Sequence, residues 1–175
     1  MARRDVVLGL NGRTVVALTG AGTDLGVTIR TEVRARESQP YHDAQGLPID
    51  AAERFIADAA EAAEARATSG LRQVLDDLAA QGFHATHAGI FARQYRLPGS
   101  VAAILRSHPA CHAAEGQMTI DALLAACAGL GLEIVAMTEE RVDPRVDPVG
   151  KLIGPPWRKE HKVAATAALH ALATR

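Results

Sequence analysis

The fold turns on DVVLGLNGRTVVALTG, residues 5–20. Val6, Val7, Leu8 and Leu10 make an apolar run that stops at Asn11-Gly12, and a second run begins at Thr14. Asn-Gly between two such runs is a strong hairpin signal, because both central positions of the tight turn need positive φ. The stretch therefore predicts two antiparallel strands joined at Asn11-Gly12. Next, AGTDLG (21–26) predicts a looser turn. VTIRTEVRAR (27–36) then predicts a third, half-buried strand, with Val27, Ile29, Thr31, Val33 and Ala35 on one face and Thr28, Arg30, Glu32, Arg34 and Arg36 on the other.

Beyond this meander the pattern changes. ESQPYHDAQGLP (37–48) is rich in breakers and reads as a loop. Asp50 and Glu53 form a D-x-x-E capping pattern that opens a long helical run, with Thr68-Ser69-Gly70 as a point of kinking or division and Gly82 as its end. HATHAGIF (84–91) predicts a fourth strand. Ser100 caps VAAILRS, and a helix follows in which Ile120, Leu123, Leu124, Cys127 and Leu130 keep helical spacing. LEIVAM (132–137) predicts a fifth strand. From Glu139 to Arg158 the repeated Pro and Gly predict no regular element, and KEHKVAATAALHALA (159–173) predicts a final helix of small residues.

Composition bounds the function classes. The chain has 175 residues, enough for one domain spanning 1–175 with a real core. Aromatic residues are only 3%, so that core must come from Ala, Val, Leu and Ile. A net charge of −1 argues against a dedicated nucleic-acid coat or a membrane-surface protein. Cys111 and Cys127 cannot make a disulfide framework. The apolar run near the N-terminus is too short for a signal peptide or a membrane span, so a cytoplasmic protein is expected. TGAGTDLG has the glycines of a phosphate loop but lacks the Lys-Ser/Thr pair and the GxGxxG spacing, and it joins two strands.

The predicted order β-β-β-α-β-α-β-α resembles the ribonuclease H-like fold: an α/β domain with a mixed five-stranded sheet, its first three strands antiparallel, flanked by helices. Within that superfamily the chain is similar to the Holliday-junction resolvase branch. VVLGLNGR resembles that branch's first-strand motif, and KEHKVAATAAL its last-helix motif. The resemblance implies a cleft at the end of the first strand beside the last helix, with Mg²⁺ or Mn²⁺ as the catalytic cofactor. This sequence departs from the family at those very positions. Asn11 stands where the motif has aspartate, the fourth strand supplies no acidic residue, and the last helix offers Glu160 and His161 beside Lys162. Hard cations need several anionic oxygens, so Asn11 with Glu160 is a poor magnesium site. The expectation is a domain that has lost the two-metal carboxylate site and acts as a nucleic-acid-associated binding or assembly module. A homodimer through the alanine-rich helices is its expected assembly, with no membrane partner. The alternative is a metal-dependent nuclease or phosphoester hydrolase with an altered His/Glu site.

Several residues are candidates for such a site. In SHPACHAAEG (107–116), His108, His112 and Glu115 fall at i, i+4 and i+7 on one helix face. Two imidazoles at that spacing suit a transition metal or an acid–base role, whereas Pro109 favours a plain helix-to-helix corner. Glu115 is also a stand-in for the missing carboxylate. In PYHDA, Asp43 follows His42, either as an acid–base pair or as a solvated turn. Arg158, Lys159 and Lys162 surround Trp157, a pattern that clasps a phosphate and stacks a base, or simply plugs the helix entry. Hydrolysis using His42, His112 and Glu115 requires the two histidine segments to converge in space.

Overall fold

The computed structural model describes residues 4–12, 14–19, 26–32 and 39–174, with the backbone alone for 26–32 and 153. The first strands are β1 (Arg4–Asn11), β2 (Thr14–Thr19) and β3 (Gly26–Glu32). They are followed by α1 (Pro40–Asp43), α2 (Ile49–Ala80), β4 (Phe83–Phe91), α3 (Val101–Leu105) and α4 (His108–Gly129). Strand β5 (Glu133–Met137), a 3₁₀ turn at Pro144–Val146, α5 (Asp147–Ile153) and α6 (Lys159–Leu172) complete the chain. The strands form one open mixed sheet in the order β3-β2-β1-β4-β5. β1 pairs antiparallel with β2, and β2 with β3, while β4 runs parallel to β1 and β5 parallel to β4.

β1 reads as a nearly unbroken apolar run because it is central and covered on both faces. Val6, Leu8 and Leu10 point into a core with Leu71, Val74 and Leu78 of α2 and Leu123 and Cys127 of α4. Val7 points the other way, toward Ala164, Ala165 and Ala168 of α6 and toward Val146 and Val149. On that face the sheet and α6 approach at backbone distance: a Cβ at Gly9 would overlap the Ala164 carbonyl, and one at Gly89 the Ala167 carbonyl. With so few aromatics to fill wide gaps, the chain gains contact by bringing alanines directly onto glycines.

Four sequence expectations are corrected. The hairpin turn begins at Gly12, not at Asn11: Asn11 still pairs with Thr14 as the last residue of β1, and Gly12 has φ +55°. The N-cap of α2 is Pro48, without a side-chain cap, and Asp50 sits within the first turn, where its charge favours the helix dipole. α2 runs unbroken through Thr68-Ser69-Gly70, because Ala67, Leu71 and Val74 hold that segment to the core. Both supposed loops contain helices, α1 and α5, each started by a proline in the first turn, where its missing N–H costs nothing. The AGTDLG turn lies largely outside the described residues, as do Val33–Arg36 and the side chains of β3.

Chain direction places the candidate site. β3 runs parallel to β1, so the chain leaves the sheet toward α1 at the end where β1, β4 and β5 finish. α4 enters β5 through the tight connection at Leu130–Leu132. Its first turn therefore lies beyond that same end, since its 22 residues span about 33 Å against about 17 Å for the 5 residues of β5.

A candidate three-histidine site

Two segments meet at that end. Ser107 caps α4, its Oγ accepting from the Ala110 N–H at 3.4 Å, and Pro109 sits in the first turn. His108 therefore opens the helix, and His112 follows one turn later on the same face. The corner predicted around His108 lies just before it, at Arg106-Ser107. α1 docks against this corner through Pro40, Tyr41 and Ala44. Gln45 Nε2 donates to the Leu105 carbonyl at 2.8 Å, and the fully buried Cys111 thiol donates to the Ile104 carbonyl at 3.5 Å. These contacts lock α1, α3 and α4 together and carry His42 to the face of His108 and His112.

The three rings cluster, with centroids 4.8 Å apart for His42–His108, 4.4 Å for His42–His112 and 4.5 Å for His108–His112. His42 Nε2 lies 3.2 Å from His108 Nδ1. Behind them, one oxygen of Glu115 accepts from His42 Nδ1 at 2.9 Å and from the His42 backbone N–H at 3.3 Å. That N–H is among the four at the start of a helix that lack intrahelical partners, so the carboxylate caps α1 as well as orienting the ring. The other Glu115 oxygen stands 3.7 Å from His112 Nδ1. Glu115 and His42 side chains are 12% and 17% exposed, whereas His112 is 54% exposed. The site is thus a rigid, shielded dyad facing two solvent-accessible imidazoles. Burial, reinforced by the Glu115 charge, pushes the Cys111 thiol up, and Tyr41 is raised by burial first and by Asp121, Cys111 and Glu115 in turn.

The remaining sequence candidates, apart from Asp43 at the end of α1, gather at the start of α6, on the opposite face of the sheet. Asn11 Nδ2 donates to the Glu160 carbonyl at 3.3 Å, tying β1 to α6 through an amide where the resolvase motif would place a carboxylate. The Glu160 side chain is exposed. His161 is buried, accepts from the Arg158 N–H at 3.1 Å and stacks on Trp157, with centroids 5.9 Å apart. Trp157 packs onto Gly150, where a Cβ would strike its ring. Lys159 pairs with Glu140 and Lys162 with Asp147 at 2.8 Å, so neither ammonium stands free as an anion clasp. Lys159, with a smaller contribution from Arg93, holds the Glu140 carboxyl below its ordinary range. Arg158 and Asp43 are exposed. Glu115 engages His42 instead of completing a carboxylate set with Asn11 and Glu160.

One neighbour went unnoticed in the sequence. Tyr95 lies directly over Gly116, where any side chain would collide with the phenol, and the Arg93 guanidinium sits 5.6 Å from the Tyr95 ring. Gly116 is one turn after His112, so Tyr95 covers the same face of α4 one turn beyond the site, while Arg93 also acts on the Glu140 carboxylate. Gly in a helix interior is the only signal the sequence offered for this approach.

No helix among the described residues is long and apolar enough to cross a membrane. No protein-family model, curated protein or solved structure matches the chain.

Proposed function

We propose that the chain is a phosphoester hydrolase on a ribonuclease H-like domain, with His42, His108, His112 and Glu115 as its reactive centre. The observation that carries this reading is the pair of hydrogen bonds that one Glu115 oxygen accepts from His42, which aims the imidazole at the two open histidines of α4. An imidazole oriented by a carboxylate is the arrangement that moves protons in hydrolysis. In the reaction, water loses a proton at the cluster and its oxygen forms the new P–O bond. The ester P–O bond breaks, and the leaving alcohol takes up the proton.

The strand order, with an antiparallel meander followed by two parallel strands and a closing helix, supports the ribonuclease H-like assignment. The centre lies beyond the carboxyl ends of β1, β4 and β5, where open α/β sheets bind ligands. Fold says little about chemistry by itself; the phosphoester class rests on that topology together with Tyr95 one turn beyond the site and the Arg93 guanidinium against its ring. Magnesium chemistry at Asn11 finds no support in its contacts: Asn11 meets Glu160 through the backbone carbonyl, and Glu140 and Asp147, the acids paired to the start of α6, each hold a lysine. Nor do the alanines of α6 support dimerisation through that helix, because Ala164, Ala165, Ala167 and Ala168 are fully buried against the sheet.

Turnover of a nitrophenyl phosphomonoester and a bis-nitrophenyl phosphodiester tests the proposal. His112→Ala and Glu115→Ala should each lower the rate by about 100-fold or more, while Asn11→Ala and Glu160→Ala stay within a few-fold of the parent. Absence of turnover on both esters, or turnover indifferent to His112 and Glu115, would overturn it.

A further inference from the structure

We infer that His42, His108 and His112 together bind one zinc-class transition-metal ion and leave it an open, solvent-facing coordination position. The inference rests on the reading above for its place at the reactive centre, and on ligand geometry for the ion itself.

Each histidine offers one nitrogen, and the three nitrogens lie within 4.8 Å of one another. Two imidazole nitrogens on a common tetrahedral ion, each at about 2.0–2.1 Å from it, are themselves about 3.3 Å apart. The His42–His108 pair already stands at 3.2 Å. The wider gaps close by side-chain rotation of His108 and His112, both exposed and free of packing against the core.

The protonation pattern points the same way. Glu115 is acceptor-only when ionised, so the His42 Nδ1 it contacts carries the proton, and Nε2 presents a lone pair to His108. A lone pair aimed at a second imidazole nitrogen is met either by an N–H of that ring or by a metal ion bound between the two. A ring N–H serves a single acceptor, whereas a metal ion takes one nitrogen from each of the three rings, and those nitrogens lie within 4.8 Å of one another. The carboxylate behind His42 is the outer partner that metal-bound histidines characteristically have: it fixes the tautomer and raises the basicity of the ligating nitrogen. Here it is held twice over, by the ring and by the backbone N–H of the same residue.

The donor set selects the ion. Neutral nitrogen ligands suit Zn²⁺, Co²⁺, Ni²⁺ or Cu²⁺ and give little to Mg²⁺, which demands oxygen ligands in an octahedron. The Mg²⁺ or Mn²⁺ implied by the family resemblance is therefore the wrong class for this cluster. Three protein ligands instead of four, with His112 largely exposed, describe a catalytic site more than a closed structural one. In such a site the ion would lower the pKa of a bound water to about 7 and so supply the nucleophile for hydrolysis, with His42, oriented by Glu115, serving as a ligand in place of a proton acceptor.

The test uses the full chain without a polyhistidine tag, stripped of metal and titrated with Zn²⁺ alone by calorimetry, then with Co²⁺ by visible absorption. One ion per chain is expected, with Co²⁺ bands of a four- or five-coordinate site. His108→Ala and His112→Ala lie on the surface and should leave the circular dichroism spectrum unchanged while abolishing stoichiometric binding. Glu115→Gln should keep the ion but weaken it by about 10- to 100-fold. Less than one ion per parent chain, or undiminished binding by a His108→Ala/His112→Ala double variant, would overturn the inference. The two proposals fail separately. Stoichiometric Zn²⁺ without ester turnover removes the hydrolase and keeps the metal site. Ester turnover by a chain that binds less than one Zn²⁺ removes the metal site and keeps the hydrolase.

Discussion

At the scale of single residues, Cys127 shows how a core position constrains stability. It is fully buried among the apolar residues of α2, α4 and the sheet, and burial pushes its thiol from 9.0 up to about 12. The folded chain keeps this proton where the unfolded chain has lost it. The contribution is therefore complete below about pH 9 and disappears as pH rises toward 12, at no more than about 1.4 kcal/mol per pH unit. Burial shifts Cys111 and Tyr41 in the same direction, so all three make the fold sensitive to base. Urea denaturation across that alkaline range should show stability falling with pH, and Cys127→Ala should make the fall shallower. An unchanged slope in that variant would mean that other groups govern it. The buried position of Cys127 was readable from its place in the apolar stripe of its helix. The partnership of Glu115 was not, because an exposed-face glutamate at i+3 from His112 looks the same whether it meets solvent or a ring brought from residue 42.

Among elements, the contact of α6 with the sheet sets the tightest tolerance. Gly9 and Gly89 lie on the two neighbouring central strands, and each is overlain by a carbonyl of α6. Added methyl groups have no rotamer that avoids a backbone atom. Gly9→Ala and Gly89→Ala should each cost about 3 kcal/mol, the upper end of ordinary overpacking, read as a lowered melting temperature. A variant that melts like the parent would show that α6 can lift away at little cost. Strands and long helices were legible here because their periodicity is carried by many residues at once: the runs at Val6–Leu10 and Val15–Leu18, the stripe from Ile120 to Cys127, the alanines after Lys159. Short helices were not. α1 has four residues between Gln39 and Ala44, and what makes it helical is the burial of Pro40 and Ala44 against α3 and α4, a tertiary fact. Breaker residues mark its ends and, without that context, read as a loop. The hairpin slipped by one residue for a related reason: Gly12 alone supplies the positive φ of the described turn residues, freeing Asn11 to pair with Thr14 and reach α6.

Across the whole molecule, convergence was the part hidden from the sequence. His42 and His108 are 66 positions apart, and only the docking of α1 on the α3–α4 corner makes them neighbours. That docking is held by a different set of contacts from the sheet. Ala52 and Ile56 of α2 pack with Tyr41, Val101, Leu105 and Met118, whereas Ala67, Leu71, Val74 and Leu78 of the same helix pack on β1 and β4. Hydrogen exchange should separate these halves: amides from Ile49 to about residue 60 exchanging together with those of α1, and amides from Leu71 to Leu78 protected to the limit of global unfolding. Uniform protection along α2 would contradict the division. The 32 residues of α2 span about 48 Å, and α4 runs alongside in the same direction. Mechanically the pair is a cantilever, clamped where it lies on the sheet and loaded at its tip, where the histidines sit. Deflection of such a beam grows steeply with distance from the clamp. Because α1, α3 and α4 are locked together there, the three histidines travel as one body, and a force applied at the exposed Leu47, Ile49 and Phe55 near the tip would shift the whole cluster relative to the sheet while keeping its internal spacing.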